Sequence, residues 1–562
     1  MIKVNTIATI GIKTGLVEVE AEINNSDLPS FQVVGLADKA VAESRERIRA
    51  AIKNSGIKLN NRKIVLGLAP ADMPKYGSGY DLAMATSIIA NYQKLDQKLF
   101  SDSIFYGELG LDGTLRDCGG AISAAIGATR LGFKNIFLPS NSALAASFIK
   151  DINVYSVENF EQLYMHIINK IPLSPIDRSR GISGDSLTQS SHWTIVGNTG
   201  VTIRAKNDDV STEHTDYDHN VPDFSDIIGQ CTAKRALEIS AVGGHNILLS
   251  GPPGVGKTML AKAYVGLLPP LSESESIEVS QIHSVSHSTR GMFDKIIFNR
   301  PFRSPHHSSS DIAILGGGKI PKPGEISLGH HGVLFLDEIA EFNRRVLDGL
   351  RQPLEDKIIH ISRISDTITY PADFTLIATQ NPCPCGYYQD SQIQCQCSMQ
   401  TIQKYQQKIS GPVIDRIDMK INLSRNSHQE MLSKTIKDNI RSDVSANHMP
   451  SSATAQERII KAIEFSKNRY RQITSRQNIK NSSPDDKNNE SYIKNGNIPS
   501  KYILDLCNID TGGISLLTSV AERLGLSHRV LHKIMKISRS IADLEMIDMV
   551  SQNHIAEALQ YR

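Results

Sequence analysis

Apolar positions in the first 170 or so residues come in short runs separated by amphipathic stretches. Met1-Ile2-Lys3-Val4-Asn5 opens an alternating segment, and Phe31-Gln32-Val33-Val34-Gly35-Leu36 and Lys63-Ile64-Val65-Leu66-Gly67-Leu68 read as strands. Between them, Lys39 to Ser55 places Val41, Ile48, Ala51 and Ile52 on one side, which predicts a helix. That mixture predicts an α/β domain. Further on, His245 to Ser250, Gly332 to Leu336 and Phe374 to Ala378 are apolar enough for buried strands, with helical segments between them. Strands separated by helices predict a parallel sheet. Near the end, Ile514, Leu517, Val520, Ala521 and Leu524 keep helical spacing, as do Val530, Ile534, Ile537 and Ile541.

Periodicity vanishes in two places. Ser, Asp, Thr, Asn, Gly and His dominate from about 174 to 222, which reads as a linker. The stretch from about Arg471 to Asn497, with Asn481-Ser482-Ser483-Pro484-Asp485-Asp486 inside it, reads as a flexible polar insertion of little consequence. The domains expected are therefore 1–170, a linker over 171–222, an α/β core over 223–424, and a helical region over 425–562 carrying the insertion at about 471–498.

Composition adds bounds. At 562 residues the chain is too long for one core. Its 40% hydrophobic and 21% charged residues are those of an ordinary globular protein. A net charge of +2 announces no nucleic-acid partner, so any basic surface must be local. No small-residue cleavage site follows the opening segment, so no signal peptide is expected, and uncharged runs such as Asn135 to Ile149 are too short or too polar to cross a bilayer. A cytoplasmic protein with reduced thiols is expected, without membrane partners. Of the seven cysteines, four crowd between Cys383 and Cys397.

The candidate chemistry starts at Gly251-Pro252-Pro253-Gly254-Val255-Gly256-Lys257-Thr258, a complete G-x-x-x-x-G-K-[ST] after a strand and before a helix. Glycines let successive N–H groups face phosphates, Lys257 supplies a point charge, and the Thr258 hydroxyl suits Mg²⁺. The competing reading is a Gly-Pro turn that happens to hold a lysine. Val333-Leu334-Phe335-Leu336-Asp337-Glu338 ends a strand in two carboxylates: Asp337 to hold Mg²⁺ and Glu338 to polarise water, or an acidic helix cap. Phe374 to Asn381 ends a strand in an amide that can orient water, or simply form a turn before Pro382.

With these segments, the chain resembles the AAA+ ATPases of the magnesium-chelatase-like group, and within it the ComM/YifB type, over nearly its whole length. Gly243-Gly244-His245-Asn246, Arg300-Pro301-Phe302-Arg303-Ser304-Pro305-His306-His307, Pro323-Gly324-Glu325-Ile326-Ser327-Leu328 and Glu557-Ala558-Leu559-Gln560-Tyr561-Arg562 carry that resemblance. It implies ATP and Mg²⁺ as ligands, Asn381 as the sensor-1 residue, Arg416 as an arginine finger given to a neighbour, and Arg529 as the sensor-2 residue of a helical lid. Simpler readings are an ion pair of Arg416 with Asp415 or Asp418, and an exposed helix charge for Arg529. A finger in trans implies a ring, typically a hexamer. Arg300 to Gly318 resembles the insertion in the second AAA+ helix and Lys357 to Tyr370 the hairpin before sensor 1, loops that point into the pore in related rings. Lys319, Lys322, Lys357 and Arg363 are then candidate phosphate contacts, or merely solvated charges. His306 and His307 suit a ring contact or a structural role better than metal ligation.

Cys383-Pro384-Cys385 and Cys395-Gln396-Cys397 can close a thiolate zinc site, with redox-active or merely reduced thiols as the alternative. The N-terminal region resembles the Lon-protease fold (S5 domain 2-like), but Gly79 stands at the serine position and Ile122 at the lysine position. Ser78 is one residue off, so proteolysis is disfavoured and a role in assembly or substrate contact is expected. By resemblance, the function expected is a ring ATPase motor acting on DNA, a helicase or branch-migration factor in recombination of incoming DNA. A protein-remodelling ATPase and the motor subunit of a metal chelatase are the rivals.

Overall fold

The computed structural model describes the chain except residues 25–29, 36–38, 58, 60–61, 178–220, 287–295, 319–320, 363–366, 391, 426–450 and 478–491. Lys319, Arg363, nearly all of the expected linker and the middle of the polar insertion lie outside the described residues.

The N-terminal domain is a seven-stranded mixed sheet in the order Phe31–Val34, Lys63–Ala69, Lys13–Asn24, Lys3–Ile10, Ser103–Phe105, Asn135–Pro139, Asn153–Val157. Lys3–Ile10 and Lys13–Asn24 form an antiparallel hairpin through a tight turn, pairing Ile10 with Lys13. The helix Lys39–Asn54 covers the sheet with the predicted face: Val41, Ile48, Ala51 and Ile52 are fully buried.

The central domain is a five-stranded parallel sheet, ordered Phe302–Arg303, Val333–Leu336, Thr375–Gln380, Ile247–Ser250, Met419–Asn422. Its middle strands are buried on both faces, which is why they read as unbroken apolar runs. The polar residues that follow each strand, Gly251 onward, Asp337 and Asn381, are thus delivered to one edge.

The C-terminal helices Ser452–Gln477, Thr511–Leu524, His528–Leu544 and Gln552–Leu559 share a core with helix Cys231–Gly243. His245 joins them to the sheet: its Nε2 lies 2.8 Å from the Ser540 hydroxyl. Burial pushes its imidazole down to about 4, so it is a neutral latch at neutral pH. This junction precedes the strand Ile247–Ser250 and so sits at the end of the sheet away from Gly251. The predicted face of Thr511–Leu524 is only partly covered: Leu517 is buried, but Ile514 and Leu524 are exposed. The polar insertion also departs from expectation. Arg471 to Gln477 continue a helix, and Asn495 is buried, donating to Asp543 Oδ2 at 2.7 Å and Ser540 Oγ at 3.1 Å. Asp543, wholly buried beside Arg469 and Arg539, needs those donors, so the end of the insertion is part of the domain. No helix among the described residues is long and apolar enough to cross a membrane.

Candidate functional site

At the C-terminal edge of the parallel sheet the chain turns sharply after Ser250. Gly254 and Gly256 have φ of 81° and 88°, and a Cβ on either would meet nothing within 4 Å. Gly251 is different, for a Cβ there would lie 2.7 Å from the Leu423 carbonyl oxygen. The loop from Gly251 to Thr258 is therefore packed against the sheet below and open above, a cradle shaped for phosphates.

Lys257 begins the following helix and is buried, with Nζ donating to the carbonyl of Gly251 at 2.5 Å and to Asn381 Oδ1 at 2.7 Å. Burial lowers its pKa, and the carboxylates of Asp337 and Glu338 oppose that. An ammonium held by neutral oxygens in a low-dielectric place is poised for an anion. Thr258 Oγ1 donates to Asp337 Oδ2 at 3.3 Å, so a hydroxyl and a carboxylate, hard oxygen donors of the kind Mg²⁺ takes, stand side by side. Asn381 Nδ2 donates to Glu338 Oε1 at 3.0 Å. Tertiary structure thus brings together Lys257, Thr258, Asp337, Glu338 and Asn381. These residues fit magnesium-nucleotide.

Thr379 was not expected. It is fully buried; its Oγ1 donates to Asp337 Oδ1 at 2.5 Å and accepts from the Glu338 N–H at 2.8 Å. Glu338 has φ of 52°, a left-handed backbone that costs a non-glycine residue roughly 1–2 kcal/mol, and the Thr379 hydroxyl is what holds it there. A threonine in an apolar strand is an ordinary β-former, so the sequence gives it no signal.

Arg416 and Arg529 lie elsewhere. Both guanidinium groups hold Glu355, Arg416 at 2.6 Å and Arg529 at 2.7 Å, and this pairing lowers the Glu355 pKa, Arg416 contributing most. The partner of Arg416 is thus neither Asp415 nor Asp418: its loop is turned so that Asp418 Oδ2 accepts from the Asn246 N–H at 2.9 Å. The Asn246 side chain in turn donates to the Arg416 carbonyl at 3.1 Å. Asn246 precedes the strand that ends at the phosphate cradle, so roughly 13 Å of strand separates the arginines' end of the sheet from Gly251. Lys533 Nζ, donating to the Ile417 carbonyl at 2.6 Å, keeps the helix His528–Leu544 at that same end.

Next to Asn381, the Sγ atoms of Cys383, Cys385 and Cys395 lie 3.3 to 3.7 Å apart, and with Cys397 all four sulfurs fall within 4.8 Å of one another. Thiolates about 2.3 Å from a zinc ion sit about 3.8 Å apart, so the sulfur spacing suits that metal. The Tyr387 N–H pulls Cys385 down to about 6. For Cys395 the Cys397 N–H works against burial and the neighbouring sulfurs, which win and push it up to about 12. Gly386 in this knuckle, at φ 84°, lies so close to the phosphate loop that a Cβ would come 2.6 Å from Pro253 Cδ.

A second group, Glu278, His330 and His331, also draws together. His330 Nδ1 accepts from the Asp373 N–H at 3.0 Å, so its Nε2 carries the proton given to Glu278 at 3.2 Å and offers no lone pair. That group ties helix Glu273–Ser286 to the sheet. The His306 ring lies tilted against that of His307, with centroids 4.1 Å apart, and its Nδ1 is 2.7 Å from the Ser308 hydroxyl. Lys357 pairs with Asp373 at 3.3 Å and is no free loop charge, whereas Lys322 is half-buried in a turn bonded to Gly317. In the N-terminal domain, a Cβ on Gly79 would lie 2.7 Å from the Tyr106 ring, Ile122 is buried, and Ser78 donates to Glu108. The dyad positions hold no nucleophile and no base.

The family described as magnesium chelatase, subunit ChlI, matches residues 223–431. Its C-terminal part matches 449–562, and subunit ChlI of Mg-chelatase matches 19–142. The chain is 37% identical to the YifB protein of Escherichia coli over 100% of its own length and 96% of the relative's. It is 36% identical to competence protein ComM of Haemophilus influenzae over 99% of its length and 96% of ComM. Over 29% of the chain and 33% of the relative, it is 27% identical to Lon protease 2 of Bacillus subtilis. Membership carries with it ATP and Mg²⁺ as ligands and ATP hydrolysis as the activity. A phosphate cradle, a paired Asp337–Glu338 and an amide at Asn381, within a match that runs from end to end, place the chain in the ComM/YifB type of the magnesium-chelatase-like AAA+ ATPases, to which it belongs.

Proposed function

We propose that this chain is a cytoplasmic, ring-forming motor, hexameric in its working state, that couples ATP hydrolysis to movement on DNA, as a helicase or branch-migration factor acting on incoming DNA. The observation that carries the motor reading is the position of Arg416 and Arg529, at the end of the sheet remote from their own phosphate cradle, where a neighbour's site can receive them. The DNA reading follows from the likeness to a competence protein along nearly the whole of both chains.

Bound magnesium-ATP supplies the phosphoanhydride to be broken and the metal charge that steadies it. Lys257 would exchange the Gly251 carbonyl for phosphate oxygens, and Thr258 and Asp337 would hold the metal. Asn381 occupies one oxygen of Glu338, leaving the other to take a proton from water, a contribution worth about 10²–10⁴-fold. Arg416, with Arg529 beside it, completes the neighbour's site, where a finger is worth about 10³–10⁵-fold. Glu355 holds both guanidinium groups until then. Cys383, Cys385, Cys395 and Cys397 would hold a zinc ion, whose bonds would stiffen the knuckle between Asn381 and Pro253.

The test compares ATPase rates with forked DNA, single-stranded DNA, unfolded protein or nothing added. Stimulation by DNA that disappears in Lys257→Ala is expected. Stimulation by unfolded protein and not by DNA overturns the DNA reading in favour of a remodelling ATPase.

A further inference from the structure

The antiparallel hairpin formed by Ile358–Ser362 and Thr367–Pro371 joins the halves of the ATPase site along the chain. It follows the helices Arg344–Gly349 and Arg351–Asp356 that leave Asp337 and Glu338, and leads directly into the strand Thr375–Gln380 before Asn381. A two-stranded hairpin holds no fixed position by itself and must be packed on something.

What it packs on is the first turn of the N-terminal domain. Gly11, at φ 61°, lies against the hairpin so closely that a Cβ would come 2.5 Å from Tyr370 Oη and 3.1 Å from Ile368 Cγ2. Ile10 and Ile12 pack into the core that contains Ile359, Ile361, Ile368 and Tyr370. Lys13 Nζ donates to the Thr367 carbonyl at 3.3 Å, and the Ile12 carbonyl accepts from Gln281 on helix Glu273–Ser286 at 3.2 Å. On its other side Tyr370 donates to the Pro321 carbonyl at 2.8 Å. The buried Tyr370 ring is therefore where the N-terminal turn, the hairpin and the segment around Pro321 meet.

We propose that the N-terminal domain is the abutment of this hairpin. Its turn Ile10 to Lys13 sets the hairpin's tilt, so that substrate contact at the hairpin reaches Asp337, Glu338 and Asn381 only while the turn is seated. The coupling part rests on the reading that the hairpin meets DNA inside a ring. The role needs no catalytic group, which suits a domain whose dyad positions are Gly79 and Ile122.

The test uses the full-length chain with Gly11→Asn. Asparagine adopts a left-handed backbone readily, so the turn persists while the new side chain collides with Tyr370. Ile12→Ala, which removes packing without a collision, is the second variant. Hydrogen exchange of the amides over 358–371 and ATPase rates with and without forked DNA are measured on each. Unchanged basal rate, hairpin exchange faster by about tenfold, and DNA stimulation reduced roughly fivefold or more are expected. Hairpin exchange that stays at the wild-type rate in both variants, or a loosened hairpin with full stimulation, overturns the proposal. If DNA fails to stimulate the wild type, the DNA reading falls; the hairpin exchange then decides the abutment alone.

Discussion

Replacing Thr379 by valine keeps the shape of the side chain and removes only its hydroxyl. That hydroxyl donates to Asp337 Oδ1 at 2.5 Å and accepts from the Glu338 N–H at 2.8 Å, so Thr379→Val breaks both. A hydrogen bond to a charged acceptor contributes about 1.5–3 kcal/mol, and an amide left unsatisfied costs about 1–3 kcal/mol. Without its tether, Glu338 is free to leave its left-handed backbone, and with it the position beside Asn381. If about 2–3 kcal/mol of that loss falls on the transition state, kcat drops about 30- to 150-fold at 1.36 kcal/mol per decade. The phosphate cradle is untouched, so nucleotide affinity should stay within about threefold. Steady-state ATPase kinetics together with titration of a fluorescent nucleotide separate the two. Thr379→Ser, which retains the hydroxyl, should recover most of the rate. A valine variant whose kcat stays within about threefold of wild type would refute the reasoning, for Asp337 and Glu338 would then be held by something else.

The remaining predictions concern assembly and metal. Lys257→Ala and Arg416→Ala should each be inactive, yet an equal mixture should recover up to about a quarter of wild-type activity, because one random site in four combines an intact cradle with an intact finger. Mixed rings that form without any recovery would place the finger's role within its own subunit. Freshly reduced wild-type protein should contain about one zinc per chain by mass spectrometry, and Cys383→Ser should lose most of it. Because Gly386 rests on Pro253, the serine variant should also bind nucleotide more weakly; metal-free wild-type protein would dismiss the zinc site.

Much of the ATPase site was legible because its signals are local. Gly251 to Thr258 is a contiguous motif whose glycines are needed for backbone shape, and Asp337, Glu338 and Asn381 each end an apolar run that a parallel sheet buries. The cysteine pairs were legible for the same reason, by spacing alone. What could not be read were partners distant in sequence. Thr379 is one more β-forming residue until the sheet places it beside Asp337. Chain proximity offers Arg416 the carboxylates of Asp415 and Asp418, but its ion-pair partner is Glu355, sixty-one positions earlier. The polar composition around Asn481 concealed Asn495, whose amide satisfies the buried Asp543.

The sequence by itself determined the kind of chemistry, since phosphate binding and water activation depend on short runs of particular residues following strands. Tertiary structure alone decided which groups hold those runs in place, to which end of the sheet the arginines go, and that Gly11 of the first domain presses on Tyr370 of the second. The reason is physical: local backbone form follows from neighbouring residues, whereas burial and hydrogen-bond satisfaction are settled only when distant segments close over one another.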